Sequence, residues 1–218
     1  MTALADGAAP APIRRSSRMR RAVIRTVTAS AAIPQYSLSL DVDFGAVKLV
    51  RDALRAEAPD ASVADVINLA CIRALESHPL ANAYFLDDAV VCNESINLSL
   101  IVEVDDGMLT PTVMGAEQRA VGDLVSERRR LTAAALRGEL RPEETVNGTF
   151  TVSNLGTFGI HRFNAMVIPP QAAVLAVGAP VSAGALTVTL TCDHRVLDGA
   201  PAARFLADVG RHLQQGRP

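Results

Sequence analysis

The residues best suited to chemistry lie in one short segment near the C-terminus, Asp193-His194-Arg195-Val196-Leu197-Asp198-Gly199. An imidazole titrates near neutral pH, so His194 could take a proton from a reacting group and later return it. Asp198 follows four residues later, close enough in a tight turn to influence the imidazole or to brace the loop. Taken only as a pattern, the same string also fits an ordinary structural turn, and the composition alone favours that interpretation.

The elements that must position this segment are predicted from hydrophobic periodicity. A strand over 185–193 ends where the segment begins, and Ser16 or Ser17 is placed to cap a first helix that stops before Ile33-Pro34. Further strands are predicted over 36–42, 96–104, 149–154 and 173–178, and further helices over 47–54, 63–75, 116–137 and 201–213. The pattern indicates an α/β (α+β) sandwich-like domain in which helices cover a mixed, largely antiparallel sheet.

Length and composition limit the class of protein. A chain of 218 residues is long enough for one large domain, predicted over 17–218 after an Ala- and Pro-rich flexible lead-in at 1–16. The sequence has no basic-then-apolar leader and no run of 18 apolar residues, which predicts a cytoplasmic protein without a membrane partner.

The net charge of −2 gives no general attraction to nucleic acid. Cys71, Cys92 and Cys192 match no zinc pattern and no secreted disulfide framework, so we expect no metal and a reducing compartment.

One segment departs from this neutral balance. Between Arg14 and Arg25 the sequence has six arginines and no acidic residue. Such a run could hold the phosphates of a nucleotide or cofactor, but like-charge runs are more often solvated or intersubunit segments, and we favour that interpretation.

From Ser17 to the C-terminus the chain resembles the catalytic domain of the dihydrolipoamide acyltransferases, the E2 components of 2-oxo acid dehydrogenase complexes, and through them the chloramphenicol acetyltransferase-like fold. The resemblance is carried by several ordered motifs, which are Ser-Arg-Met-Arg-Arg-Ala at 17–22, the Ile33-Pro34 entry to a strand, Asp-Gly-Met-Leu-Thr-Pro at 106–111, Gly-Thr-Phe-Thr-Val-Ser-Asn-Leu-Gly-Thr-Phe-Gly at 148–159, Ile-Pro-Pro-Gln-Ala-Ala-Val-Leu-Ala-Val-Gly at 168–178 and Asp-His-Arg-Val-Leu-Asp-Gly-Ala at 193–200. It implies a two-layer sandwich with a mixed, largely antiparallel sheet.

The resemblance also implies roles for single residues. His194 matches the family's general base, and Ser153 matches the hydroxyl that stabilises the oxyanion of the tetrahedral intermediate. From the residues alone, a strand serine bonded to the backbone is the more ordinary interpretation of Ser153. Asp198 matches an aspartate that organises the loop through an ion pair with an arginine, here Arg25. No CoA-contacting residue is predicted.

The resemblance also implies a subunit assembly and a substrate. Its members form homotrimers, and many build 24-subunit cubic shells, with the histidine and the hydroxyl donor of each channel coming from different chains. Coenzyme A, as acetyl-CoA, is the implied substrate and would enter opposite the acyl acceptor.

The sequence also departs from the family. Lys48 is the one lysine in the chain and lies on a predicted helix, and only about 16 residues precede the matching region, so we expect no covalent lipoyl group. This favours a free-standing acetyltransferase that acylates a hydroxyl of a small metabolite, like those acting on tetronate intermediates of polyketide pathways. The alternative is the core component of a 2-oxo acid dehydrogenase complex. A Ser-His-Asp hydrolase is less favoured, because Ser153 does not lie in a Gly-x-Ser-x-Gly elbow.

Overall fold

A computed structural model describes residues 16–182 and 184–215, so the predicted lead-in lies outside the described residues apart from Ser16. Within that part of the chain, the α-helices are α1 (Arg18–Ala31), α2 (Phe44–Leu54), α3 (Val63–Ser77), α4 (Val121–Arg137) and α5 (Gly199–Gln215). The strands are β1 (Gln35–Asp43), β2 (Ala83–Leu86), β3 (Ala89–Cys92), β4 (Leu98–Leu100), β5 (Val102–Val104), β6 (Gly107–Leu109), β7 (Thr112–Val113), β8 (Phe150–Asn154), β9 (Ala173–Val177) and β10 (Ala185–Asp193).

Six of these strands form one sheet in the order β1-β10-β9-β8-β4-β7. The β8 pairings with β9 and β4 are parallel, and the other three pairings are antiparallel. The longest ladder joins β1 to β10, from Gln35 opposite Asp193 to Asp43 opposite Ala185. This arrangement confirms the mixed, largely antiparallel sheet that the sequence predicts.

One face of the sheet forms the hydrophobic core. The strand register places four apolar residues side by side on this face, which are Leu38, Leu190, Leu175 and Val152. Side chains along each strand alternate between the two faces, so these four share the core face. Helices α2, α3 and α5 contribute to the core beside them. Full burial of such a leucine stabilises the fold by about 1.5–3 kcal/mol, so this row fixes the register of the sheet.

Three local features differ from the sequence-based expectations. The helix predicted from 116 begins instead at Val121, after a short 3-10 turn at Ala116–Gln118. The strand predicted over 96–104 is divided into β4 and β5. The hairpin of β2 and β3 was not predicted, although Asp87 and Asp88 between them adopt positive φ, as a tight hairpin turn requires.

A buried carboxylate joins α4 to the chain that leads into β8. Glu144 is 5% exposed at its side chain and accepts hydrogen bonds from Arg141 Nη2 (2.8 Å), the Arg141 backbone N–H (2.8 Å) and Arg130 Nη2 (2.6 Å). The side-chain hydrogen bonds from Arg141, against the opposing effect of burial, lower the pKa of Glu144 to about 2, with further contributions from the Arg141 backbone and Arg130.

This pKa gives a signed prediction for Glu144→Gln. Because the folded pKa is lowered, the carboxylate stabilises the fold above its unfolded pKa of about 4.3, and that stabilisation is lost as the pH falls toward 2. We expect a loss of about 1–3 kcal/mol in the free energy of unfolding at pH 7, shrinking steadily below pH ~4.5. Urea unfolding at a series of pH values measures it. The exposed pair of Glu139 and Arg137 supplies the control, since Glu139→Gln should change stability little at any pH.

Within the described ranges, no helix combines the length and the apolar character needed to cross a bilayer.

Candidate active site

The turn that carries His194 is fixed at both ends. Asp193, whose side chain is 1% exposed, accepts hydrogen bonds from the Arg195 guanidinium, with Nε at 3.0 Å from Oδ1 and Nη2 at 2.6 Å from Oδ2, and from the Arg195 backbone N–H at 2.9 Å. The backbone N–H of His194 donates to the carbonyl oxygen of Pro34 at 2.8 Å. Strand β10 therefore ends against the entry to β1, and His194 is the first residue beyond the ladder.

The imidazole of His194 lies at the surface beside an aromatic ring. Its side chain is 53% exposed, and its ring centroid lies 4.5 Å from that of Tyr36. The Tyr36 hydroxyl donates to the carbonyl oxygen of Leu197 at 2.9 Å, and burial raises the pKa of Tyr36 above its ordinary value, so the phenol keeps its proton. Tyr36 therefore forms one wall of the histidine site. Tyr36 was not among the site residues predicted from the sequence, because its period-two position indicated only a strand residue.

Asp198 lies next to the imidazole rather than next to an arginine. Its Oδ1 is 3.5 Å from His194 Nδ1, which is longer than a normal hydrogen bond, and its side chain is 81% exposed. The expected ion pair of Asp198 with Arg25 is not formed within one chain. Arg25 is exposed on α1 and makes no ion pair within the described residues, and Asp198 precedes α5 and faces His194.

Ser153 lies on the face of the sheet opposite the hydrophobic core. Small hydroxyl side chains dominate this face, and most pair with each other or with one polar neighbour. These contacts are Ser37 with Thr191 (3.0 Å), Ser39 with Thr189 (2.9 Å), Ser99 with Thr112 (2.8 Å), Thr151 with Gln171 (2.7 Å) and Thr187 with Asp41 (2.5 Å).

The hydroxyl of Ser153 differs from its neighbours. Ser153 is 6% exposed, yet among the described residues its Oγ has no hydrogen-bond partner. This excludes the ordinary interpretation of a strand hydroxyl bonded to the backbone of the same chain. A nearly buried O–H without a partner can donate to an oxygen brought beside it.

One chain does not bring Ser153 and His194 together. Ser153 lies opposite Ala176, which lies opposite Thr189, and His194 follows Thr189 by five positions on β10. At about 3.3 Å per residue and about 4.8 Å per strand, the two residues are separated by roughly 19 Å. A single acyl group cannot touch both across that distance.

The end of the sheet beyond Ser153 is closed by the chain that follows β8. A Cβ at Gly178 would lie 1.9 Å from the carbonyl oxygen of His161, and the N–H of Ala179 donates to the carbonyl oxygen of Ile160 at 2.6 Å. The backbone around 160–161 therefore lies directly on the strand end, which accounts for a glycine at that position.

Comparison with known proteins identifies the class. The profile of the 2-oxoacid dehydrogenases acyltransferase (catalytic domain) family matches residues 11–217, and the chain belongs to this family. A curated relative from Rickettsia bellii, the dihydrolipoyllysine-residue acetyltransferase component of the pyruvate dehydrogenase complex, is 34% identical over 206 residues. The match covers 87% of this chain and 49% of the relative, so the chain spans about half the length of the curated relatives it matches.

Solved structures agree with this class. The cubic core of a pyruvate dehydrogenase multienzyme complex superposes with a TM-score of 0.86 at 25% identity, covering 94% of this chain and 92% of that one. The same values hold for the Azotobacter vinelandii dihydrolipoamide acetyltransferase, studied for the role of a serine, a histidine and an asparagine in its catalytic mechanism. A chloramphenicol acetyltransferase, at 17% identity with a TM-score of 0.56 and covering 87% of this chain and 94% of that one, shares the fold. The expected family and chloramphenicol acetyltransferase-like fold are confirmed.

Proposed function

We propose that this protein transfers an acetyl or related acyl group between coenzyme A and the thiol of a dihydrolipoyl group, with His194 as general base and Ser153 as oxyanion donor. One observation carries the proposal: on a sheet face of paired hydroxyls, the residue at the family's donor position, Ser153, keeps its hydroxyl free. The asparagine studied in the catalytic mechanism of the Azotobacter enzyme lies four positions after the studied histidine. Asp198 follows His194 at the same spacing.

The proposed reaction needs one proton carrier and one hydrogen-bond donor. His194 takes the proton of the attacking thiol, and the resulting thiolate adds to the carbonyl carbon of the acyl thioester. The C=O electrons move to oxygen, where the Ser153 hydroxyl donates to the developing negative charge. When the C–S bond to the leaving thiol breaks, that sulfur takes the proton back from His194. Asp198 beside Nδ1 favours the intermediate imidazolium, but only weakly because it is exposed.

The relatives support a thiol acceptor over a metabolite hydroxyl. The Rickettsia protein is named for acetyl transfer to a dihydrolipoyllysine residue, and the cubic core and the Azotobacter enzyme come from the same class of enzyme. None of these three proteins is named for a tetronate or polyketide substrate, so the comparisons favour the core component of a dehydrogenase complex over the free-standing acetyltransferase. The dihydrolipoyl group would be carried outside the residues described, on a separate domain or chain.

We further propose that the working unit is a trimer, in which His194 of one copy meets Ser153 of the next. The separation of about 19 Å within one chain supports this arrangement, because a heterologous ring interface can join two different surfaces of identical chains. A cubic shell of such trimers is the larger assembly suggested by the similarity to a cubic core.

Mixing two inactive variants tests the shared site. His194→Ala keeps Ser153, and Ser153→Ala keeps His194, so a mixed trimer has some intact sites if the two residues come from different chains. After unfolding and refolding a 1:1 mixture, we expect about one quarter of wild-type activity, because each site draws its two residues independently. Acetylation of dihydrolipoamide by acetyl-CoA is the readout.

The matched control refolds each variant separately and mixes the two afterwards without exchange, which should stay inactive. An inactive co-refolded mixture that contains hybrid trimers by native mass spectrometry would show that the residues do not meet across an interface. If the protein acetylated simple alcohols faster than dihydrolipoamide, that result would contradict the proposed substrate.

A further inference from the structure

A large cleft lies on the core side of the sheet, away from the hydroxyl face that holds Ser153. It is bounded by α3, α4, the hairpin of β5 and β6 and the end of β8, and its volume is about 920 Å³. Its walls are mainly apolar, with Ile67, Leu100, Val102 and Leu109 among them. This size and lining are typical of sites for small organic ligands, which need a few polar groups to fix their orientation.

Asn68 supplies such a polar group inside the cleft. It lies on α3, lines the cleft and is 8% exposed, yet its side-chain amide makes no hydrogen bond with any residue in the described part of the chain. Among the described residues, this amide is not one of the fully enclosed polar groups, so a ligand in the cleft can reach it, donating to its oxygen and accepting from its nitrogen.

Three acidic residues without an ion-pair partner among the described residues line the rim of the cleft. Glu103, Asp105 and Asp106 line it and are exposed, and none forms an ion pair within residues 16–182 and 184–215. The two arginines of the lining are already paired, Arg128 with Asp65 (2.5 Å) and Arg137 with Glu139 (2.6 Å).

The arginines of α1 are the competing charges at this rim. Met19 of α1 also lines the cleft, and the arginines on either side of it, Arg18 and Arg20, are exposed. Within the described part of the chain neither of them pairs with the three acids. An anionic probe therefore has to be compared with a cationic one.

We propose that this cleft is a binding site for a small cationic amphiphile, with its apolar body against the leucine-lined wall, an amide or hydroxyl group on Asn68 and its ammonium group at the rim acids. The site is separate from the proposed acyl transfer and does not rest on it. Because Val152 and Asn154 also line the cleft, an occupant would contact both residues that flank Ser153.

Dansylcadaverine, an apolar fluorophore with a primary ammonium on a flexible chain, is a suitable probe. The protein contains no tryptophan, so the dansyl emission can be followed without interference. With the assembled wild-type protein we expect saturable binding with a blue shift of the emission. The Kd for the anionic analogue dansyl-6-aminohexanoate should be at least tenfold higher, which corresponds to about 1.4 kcal/mol.

Two sets of variants assign the binding to the cleft. Asn68→Leu should weaken binding about tenfold by removing the amide and filling space, and the combined Glu103→Gln, Asp105→Asn and Asp106→Asn variant should weaken it similarly and remove its salt dependence. Glu94→Gln serves as control, because Glu94 is an exposed acid outside the cleft.

The three rim substitutions lie in an exposed hairpin, so the rim variant stays informative if Asn68→Leu does not fold. Absence of saturable binding, equal affinity for the anionic analogue, or unchanged affinity in both variants would overturn the proposal.

Discussion

Replacing His194 with alanine is expected to lower kcat by a factor of about 10²–10⁴, the usual contribution of a positioned general base. The imidazole is half exposed, and among the described residues its ring interacts with Tyr36 and Asp198 at the surface, so its loss should leave folding and assembly unchanged. The rate of acetyl transfer from acetyl-CoA to dihydrolipoamide measures the effect, and size-exclusion chromatography checks the assembly.

Two control substitutions make the result specific. His161→Ala removes an exposed imidazole from the segment after β8 and should leave kcat near the wild-type value. Asp198→Asn removes the charge beside His194 and should lower kcat by less than about tenfold, because an exposed charge contributes little. Turnover of His194→Ala within a few fold of wild type would exclude the histidine as the base.

Replacing Ser153 with alanine should lower kcat by about 10²–10³, the effect of removing one oxyanion donor, or about 2.7–4 kcal/mol in the barrier. The KM for acetyl-CoA should change little, because the hydrogen bond strengthens only as charge develops on the oxygen. Since Ser153 Oγ has no partner within the described chain, its removal leaves no neighbouring polar group unpaired, and stability should be nearly unchanged.

Ser39→Ala provides the matched control for Ser153→Ala. Ser39 lies on the same face of the sheet, but its hydroxyl is paired with Thr189 at 2.9 Å. Its removal should lower stability by about 1 kcal/mol and leave kcat unchanged. If Ser153→Ala altered only the KM, or if both variants lowered kcat equally, the free hydroxyl would not be the oxyanion donor.

The sequence predicted the elements that follow strong local rules. The alternation over 185–193 and 36–42 predicted β10 and β1, and Ser17 caps α1 by accepting from the Arg20 N–H, as its position suggested. The unpredicted hairpin of β2 and β3 is short and depends on Asp87 and Asp88 adopting positive φ, which few residue types do readily and no periodicity reveals.

The properties of the site depended on tertiary contacts, which periodicity does not contain. The motif located His194, but the contact with Tyr36 crosses from β1 to the end of β10. The resemblance singled out Ser153, but the pairing of the surrounding hydroxyls, which leaves this one free, exists only in the assembled sheet. The expected pair of Arg25 and Asp198 came from the family resemblance, which does not specify where α1 lies relative to Asp198 within one chain.

The distance between Ser153 and His194 has a consequence for the behaviour of dilute protein. If each subunit holds only half of the reacting groups, a newly synthesised polypeptide is inert until it meets its neighbours, and specific activity becomes a function of concentration near the dissociation constant of the ring. Lowering the concentration through that range should abolish turnover before any helix unfolds, so that loss of assembly and loss of fold become separable events.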